Sequence, residues 1–377
     1  MNEKKLQVVF CTDGIFPHAI GGMQRHSRLL IEELSKFSDL DLIVVHPHAS
    51  TKVYDSSFSV TEVGLETKKT KNQIGYLVNA YEYSKKVYQV LKKHPDAVIY
   101  SQGMSVWHGI KDVGNRLIIN PHGLEPYQVL TLKEKIITIP FRCIHNYLFK
   151  HAAKIVSLGG RLTDILSNTL NIPKEKIIEL PNAAKIPEHT MRNFNAATIQ
   201  FLFVGRFAFN KGIKTLIETV IELNNEGYAG KFRFALVGKG PLYSEMARSC
   251  KEPNVKFYGG ADDSVLFNLY KESDVFVLPT LFEGMPTVIL EAMGYGLPII
   301  VTDTGATRQL VDRTNGFIIE KKSVASLKST IIKYASLDNE EKKKLSEASY
   351  KKLKDNFTWP IVAQRHYELF KTFANKK

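Results

Sequence analysis

The chain has 377 residues, of which 44% are hydrophobic and 24% charged, and its formal net charge is +13. That length points to two domains with real cores, and no apolar run approaches the roughly 20 residues that cross a bilayer. The opening MNEKKLQVVFCTDG reads as a first strand rather than a secretory leader. The cysteines Cys11, Cys143 and Cys250 show neither disulfide nor metal spacing, so a reducing cytoplasm is the expected compartment.

Short apolar, β-branched runs come first at Leu6–Thr12, Leu42–Pro47, Ala97–Ser101, Leu117–Pro121, Lys154–Leu158 and Lys176–Leu180. They are apolar on both faces, as buried parallel strands are. Helical patterns lie between them; Leu77, Tyr81, Val87, Tyr88 and Leu91 fall at helix spacing. Pro181 to His189 and the polar residues to Thr198 carry no periodicity and read as a linker. The alternation restarts at Phe201–Val204 and continues through Phe234–Val237, Val255–Tyr258, Val275–Leu278, Ile299–Thr302 and Phe317–Ile319. A last helix is expected from Trp359 to Ala374. This pattern predicts two doubly wound α/β domains with parallel sheets, whose ligands bind beyond the carboxyl ends of the strands.

The positive charge is clustered. Residues 66–93 hold seven Lys against two Glu, residues 133–154 five basic residues against one Glu, and residues 321–354 ten Lys against four acids. Solvated lysine faces are the plain reading. Nucleic acid is not expected as a partner, because the basic stretches lack interleaved aromatic platforms.

Three segments of the second half carry chemistry. Gly205 and Arg206 follow a strand, and Lys211 and Gly212 open the next helix. Arg grips phosphate bidentately and Lys adds a compact charge, so the pair can neutralise a diphosphate; pairing with surface carboxylates is the structural alternative. Gly238-Lys239-Gly240-Pro241 resembles the start of a dinucleotide fingerprint, but Tyr243 stands where the third glycine is required. Gly238 and Gly240 are expected to let backbone approach a nucleotide, or else simply to form a strand-end turn. The third segment is Asp274 to Met293. A buried strand ends at Pro279, a loop delivers Glu283 and Gly284, and a helix begins near Met285. The N–H groups of Met285, Thr287 and Val288 would make an anion site there, because Pro286 has none to offer. Glu291, among Val288, Ile289, Leu290, Ala292 and Met293, needs a partner; a pair of sugar hydroxyls or a structural Arg or Lys would serve.

Gly205-Arg206, Lys211-Gly212 and the Glu283 to Glu291 segment resemble glycosyltransferase family four, the retaining enzymes of the GT-B fold. The resemblance runs nearly the whole chain in motif order. It implies two Rossmann-like doubly wound domains facing across a cleft, with the C-terminal helix crossing back to the first. The acceptor-side domain would comprise residues 1–182 plus 357–377, and the nucleotide-sugar-binding domain residues 183–356. It implies that Arg206 and Lys211 contact the donor diphosphate, that Glu283 sits by the transferred sugar, and that Gly284, Met285 and Pro286 pack around sugar and phosphate. Thr287 and Val288 would donate to the phosphate and Glu291 would bind the ribose.

In the first half, Gly21 and Gly22 open a helix, and the resemblance places them by the donor phosphate or acceptor; a tight turn is the alternative. Arg25 and His26 then fall on the helix beyond. His122, after the strand ending at Asn120-Pro121, is either structural or, by the resemblance, a contact to the donor sugar. Asp39-Leu40-Asp41 formally matches a metal-binding pair but lies in a turn before a strand. No metal or other cofactor is expected. Ala183 stands where the family often has glycine, a poorer fit if that backbone needs positive φ.

The expected activity is transfer of a hexosyl or N-acetylhexosaminyl group from a nucleoside-diphosphate sugar, most simply a UDP-sugar, to a saccharide or lipid-linked acceptor. Cell-surface polysaccharide or glycolipid synthesis is the expected setting. A nucleotide-sugar epimerase of the same fold is the alternative. The basic stretches of the first domain suggest loose attachment to an anionic membrane from the cytoplasmic side.

Overall fold

The computed structural model describes residues 5–68, 72–187, 194 and 197–375. Residues 188–193, 195 and 196 of the expected linker lie outside the described residues, as do Lys69 and Lys71 of the first basic stretch. The chain divides into two compact units, residues 1–182 with 359–377, and residues 183–358.

The first unit holds seven strands among its described residues: β1 (Leu6–Cys11), β2 (Leu40–His46), β3 (Thr61–Gly64), β4 (Val98–Gln102), β5 (Leu117–Asn120), β6 (Lys154–Ser157) and β7 (Ile177–Glu179). They form one parallel sheet in the order β3-β2-β1-β4-β5-β6-β7. Val8, Val9 and Phe10 are wholly buried because β1 is central and covered on both faces. The strand missing from the sequence reading is β3. It is a half-exposed edge strand, and Thr61-Glu62-Val63-Gly64 offers one apolar side chain rather than a two-faced run.

The second unit holds β8 (Ile199–Val204), β9 (Phe232–Val237), β10 (Val255–Gly259), β11 (Val275–Leu278), β12 (Ile299–Thr302) and β13 (Gly316–Ile319). All pair in parallel, in the order β10-β9-β8-β11-β12-β13. In each sheet the order reverses beside the first strand, between β1 and β4 and between β8 and β11. A doubly wound sheet opens its crevice at that reversal, outside the carboxyl ends.

The C-terminal helix Trp359–Ala374 returns to the first unit, as expected, and packs on the helix Gly22–Leu34 and on β1 and β4. Trp359, Val362, Ala363, His366, Tyr367, Phe370 and Phe373 form its buried stripe. Tyr367 stacks on Phe37 at 4.3 Å between ring centroids, and its hydroxyl donates to Asp39. Asp41 accepts from Gln7 Nε2 at 2.7 Å. The Asp39 and Asp41 carboxylates are thus engaged in holding the first unit together. At the junction, neither Asn182 nor Ala183 has positive φ, so alanine fits there without strain. The Ala184 N–H donates to Phe357 O at 2.9 Å.

Candidate active site

The second unit gathers the sequence-predicted groups on the loops after β8, β9 and β11. Gly212 adopts φ 68°, and a Cβ there would lie 1.8 Å from Pro279 O. Only glycine permits that approach, and it presses the loop after β8 against the end of β11. The Asn210 carbonyl then accepts from Leu281 N and Thr280 Oγ1, each at 2.7 Å. These bonds bring Lys211 to Glu283 as an ion pair through Nζ and Oε1. Thr280 Oγ1 also lies 3.1 Å from Glu283 Oε1, and its single proton is shared between that oxygen and Asn210 O. Arg206 is exposed and has no ion-pair partner among the described residues. Of the two cations, then, Lys211 is paired within the site and Arg206 is open to a ligand.

The helix after Glu283 runs Thr287–Gly294, two residues later than expected. Pro286, at φ −65° and ψ 115°, is its N-cap, so Met285 lies outside the helix and is buried. No side chain caps this end and no acid occupies the first turn. Ile289 N turns back to Pro286 O at 3.2 Å, which leaves Thr287 and Val288 as the N–H groups at the positive end of the helix. Gly284 O accepts from Ala306 N at 2.8 Å, tying this loop to the one after β12.

Glu291 Oε2 accepts from the Tyr270 hydroxyl at 3.0 Å. The sequence left sugar hydroxyls or a structural Arg or Lys open as its partner; one partner is a buried tyrosine 21 residues away. Burial, and then the Glu291 charge, push the Tyr270 phenol up, so it remains a donor. Its ring lies against Tyr295 at 5.3 Å and 6°.

Gly238 and Gly240 owe their identity to packing. A Cβ on Gly238, at φ 138°, would fall 1.8 Å from Gly205 O, and one on Gly240 2.4 Å from Phe207 O. The two strand-end loops therefore touch backbone to backbone, with Gly205 and Gly238 as neighbours.

In the first unit, Gly21 is the N-cap of the helix Gly22–Leu34, in extended backbone with no side-chain cap. Both glycines are exposed, and a Cβ on Gly22 would meet nothing within 4 Å. Arg25 is exposed and lies 4.8 Å over the Phe16 ring. His26 is buried, and its ring meets His122 at 4.9 Å, edge to face. His122 sits two residues past β5 at φ 58°, its N–H donating to Asn120 Oδ1 at 2.8 Å. Asn120 Nδ2 donates to Tyr100 Oη at 2.9 Å, and that hydroxyl meets His366 Nε2 at 3.1 Å. Burial lowers all three imidazoles, His122 to about 3 and His366 to about 4, so the cluster is neutral.

Sequence reasoning missed Thr280 and Tyr270, which announce no motif. A cavity of about 580 Å3 in the second unit, lined by Ile199, Phe232 and Asp274, lies at the amino ends of the strands and away from these groups.

The strand order is that of a doubly wound sheet of the GT-B type, with Arg206 and the Lys211–Glu283 pair at its reversal. Residues 198–336 match the family described as Glycosyl transferases group 1. An uncharacterized glycosyltransferase of Methanocaldococcus jannaschii is 26% identical over 76% of this chain and 77% of its own. The UDP-Gal:alpha-D-GlcNAc-diphosphoundecaprenol alpha-1,3-galactosyltransferase of Escherichia coli is 24% identical over 66% of this chain and 68% of its own. Among solved structures, sucrose-phosphate synthase from Thermosynechococcus elongatus superposes with a TM-score of 0.79 at 15% identity, covering 99% of this chain and 100% of that one. The chain is a glycosyltransferase of the GT-B fold, with a group 1 glycosyl transferase domain in its second unit, in agreement with the resemblance to family four.

Proposed function

We propose that the chain transfers a hexosyl or N-acetylhexosaminyl group from a UDP-sugar, with retention, to a saccharide or lipid-linked acceptor in cell-surface polysaccharide or glycolipid synthesis. The observation that carries this reading is the Lys211–Glu283 pair at the β8/β11 reversal, beside exposed Arg206 and the uncapped helix Thr287–Gly294. In this reading Arg206 and Lys211 hold the diphosphate, while the N–H groups of Thr287 and Val288 take its oxygens. Glu291, oriented by Tyr270, takes the ribose hydroxyls. Glu283, with Gly284, Met285 and Pro286, borders the sugar. His122, Gly21 and Gly22 are the first unit's contacts to donor or acceptor.

The chemistry is departure of the nucleoside diphosphate. The bond from the anomeric carbon to the phosphate oxygen breaks, and the acceptor oxygen bonds to that carbon on the same face. The acceptor proton passes to the departing phosphate oxygen. Negative charge grows on the leaving group, and preorganised cations and helix N–H groups meet it there. The Escherichia coli relative, named as a UDP-Gal:alpha-D-GlcNAc-diphosphoundecaprenol galactosyltransferase, supports the choice of donor and acceptor class.

Attachment to a membrane has its own support. The helices Leu132–Ile137 and Ile139–His151 expose Leu132 at 74%, Ile136 at 58% and Ile139 at 50%. Lys133 and Lys135 lie between them in sequence. Tyr76 stacks on Phe141, joining this patch to exposed Ile74 and Val78. Apolar side chains set among lysines suit an anionic lipid surface. No described helix is long and apolar enough to cross a membrane.

The test is a panel of nucleotide sugars incubated with the full chain, first alone and then with saccharide and lipid-linked acceptors, read by NMR. Hydrolysis of a UDP-sugar and an acceptor product of unchanged anomeric configuration are expected. Inversion, or an epimerised donor without acceptor, refutes the reading. Flotation with phosphatidylglycerol vesicles at low salt tests the membrane part, and absence of association removes it.

A further inference from the structure

His122 has an uncommon backbone for a residue with a side chain. Its φ of 58° lies in the left-handed region, which residues other than glycine occupy only where the surroundings hold them there. The Gly123 N–H turns back to Pro121 O at 2.7 Å and closes a tight turn with His122 at its centre. The imidazole does not anchor this turn through its buried Nε2, which has no hydrogen-bond partner among the described residues. The anchor is the His122 N–H, which donates to Asn120 Oδ1 at 2.8 Å.

That bond opens a series that runs in one direction. With Oδ1 taken by an N–H, the other end of the Asn120 amide donates, from Nδ2 to Tyr100 Oη at 2.9 Å. At the far end, His366 Nδ1 lies 2.8 Å from Val362 O. A carbonyl only accepts, so the proton sits on Nδ1 and the neutral ring accepts at Nε2. The Tyr100 hydroxyl, 3.1 Å from Nε2, is therefore the donor. The series runs from His122 N–H through Asn120, Tyr100 and His366 to Val362 O, and bonds in such a series polarise one another. Asn120, Tyr100 and His366 are buried, so a broken link leaves a polar group unpaired in the core. The Tyr100 ring is fixed by Phe10 at 5.1 Å and Phe370 at 5.5 Å between centroids. Three elements supply the links: β4, β5 and the C-terminal helix, with Tyr100 and His366 266 residues apart.

We propose that Asn120, Tyr100 and His366 are positioning residues for His122, so that the C-terminal helix sets the aim of the imidazole that contacts the donor sugar. The assignment rests on the reading that gives His122 that contact. His122 touches the sugar, and the other three act only through it. The direction of the series depends on a neutral His366. Protonated, it would donate from Nε2 and leave the Tyr100 proton without an acceptor; burial lowers His366 to about 4 and keeps it neutral.

The experiment uses the full chain with Tyr100→Phe, His366→Leu and His366→Gln, each alone and combined with His122→Ala. Amide hydrogen exchange at His122, read by NMR, reports the turn. Turnover of UDP-sugars and calorimetry with UDP report the contact. Tyr100→Phe and His366→Leu should speed exchange of the His122 amide and lower kcat/KM for the UDP-sugar about three- to tenfold. The affinity for UDP, which lacks the sugar, should stay as in the wild type. His366→Gln, whose amide oxygen can accept the Tyr100 proton, should recover most of the loss. With His122→Ala in place, Tyr100→Phe should cost kcat/KM nothing further. Thermal melts check folding; if His366→Leu does not fold, Tyr100→Phe carries the test. Unchanged exchange at His122 overturns the relay, whatever the activity does. Additive losses in the double variant, or equal weakening of UDP and UDP-sugar, overturn the positioning role. Wild-type turnover by His122→Ala overturns the sugar contact of His122 and, with it, the positioning role. If no UDP-sugar is turned over by the wild type, the donor reading falls, and exchange at His122 by itself upholds or overturns the hold of the C-terminal helix on the turn.

Discussion

Lys211 and Glu283 are 72 residues apart in the chain and form an ion pair that spans the reversal between β8 and β11. Thr280 Oγ1 lies 3.1 Å from Glu283 Oε1 and ties that carboxylate to the Asn210 carbonyl of the loop that carries Lys211. In Lys211→Met the carboxylate loses its cation and, in the proposed reading, the leaving group loses one of the positive charges that face it. Transfer should fall by about 10²–10³ in kcat, the usual loss for one group aimed at developing charge. Glu283→Gln should be nearly as severe. The double variant should lose less than the sum of the two, because the residues act as a unit; strict additivity in a double-mutant cycle refutes the coupling.

Arg206 offers the converse case. It is exposed and unpaired among the described residues, so Arg206→Ala should leave the melting temperature unchanged while weakening binding of the nucleoside diphosphate. Removing a charge-assisted bond costs about 1.5–3 kcal/mol, or roughly ten- to a hundredfold in affinity. Calorimetry with UDP measures it. EDTA should leave transfer unaffected if these cations carry the leaving-group charge; loss of activity restored by added magnesium would refute that assignment.

Tyr270→Phe deletes the hydroxyl that holds Glu291 and leaves the carboxylate without that donor at the face of its helix. Stability should fall by about 1–2 kcal/mol. UDP binding should weaken more than binding of inorganic diphosphate, since only the nucleoside has the ribose that Glu291 is proposed to hold. An equal effect on both ligands would detach Glu291 from the ribose.

The pH dependence has two opposed parts. His26, His122 and His366 are neutral in the fold and titrate near 6.5 when unfolded. The unfolded chain therefore binds more protons below 6.5, and stability is lost as pH falls from there toward about 4. Asp13 acts the other way. Its folded value of about 6 exceeds the ordinary 3.8, so its contribution is present at low pH and is lost as pH rises between those values. Three imidazoles outweigh one carboxyl, and urea midpoints should drop from pH 7 to pH 4.5. Asp13→Asn should steepen that drop and stabilise the chain at pH 7. A midpoint independent of pH contradicts the neutral cluster.

Truncation at Asn356 removes the helix Trp359–Ala374 and exposes the surface on which Trp359, Phe370 and Phe373 pack. Each buried aromatic contributes about 1.5–3 kcal/mol, so the first unit should lose cooperative unfolding. Retained stability and activity would show that the helix is dispensable.

What the sequence could disclose is what depends on local pattern. Alternating buried strands and amphipathic helices are periodic, so both sheets and twelve of the thirteen described strands follow from the order of residues. The edge strand β3 does not, because one apolar side chain is no pattern. Helix starts slip for the same kind of reason: Met285 and Pro286 read as helical until the N-cap conformation of Pro286 is known.

Arg206, Lys211 and the Glu283 to Glu291 segment were legible as groups able to meet a diphosphate, because charge and strand-end glycines are local features. Their partners were not. That Lys211 meets Glu283 and that Tyr270 holds Glu291 depend on which parallel strands lie side by side. The chain order of a doubly wound sheet is not its spatial order, and loops that meet at the reversal come from segments about 70–90 residues apart. Sequence alone determined the elements and the chemistry each loop carries; only the tertiary structure decided which loops face one another.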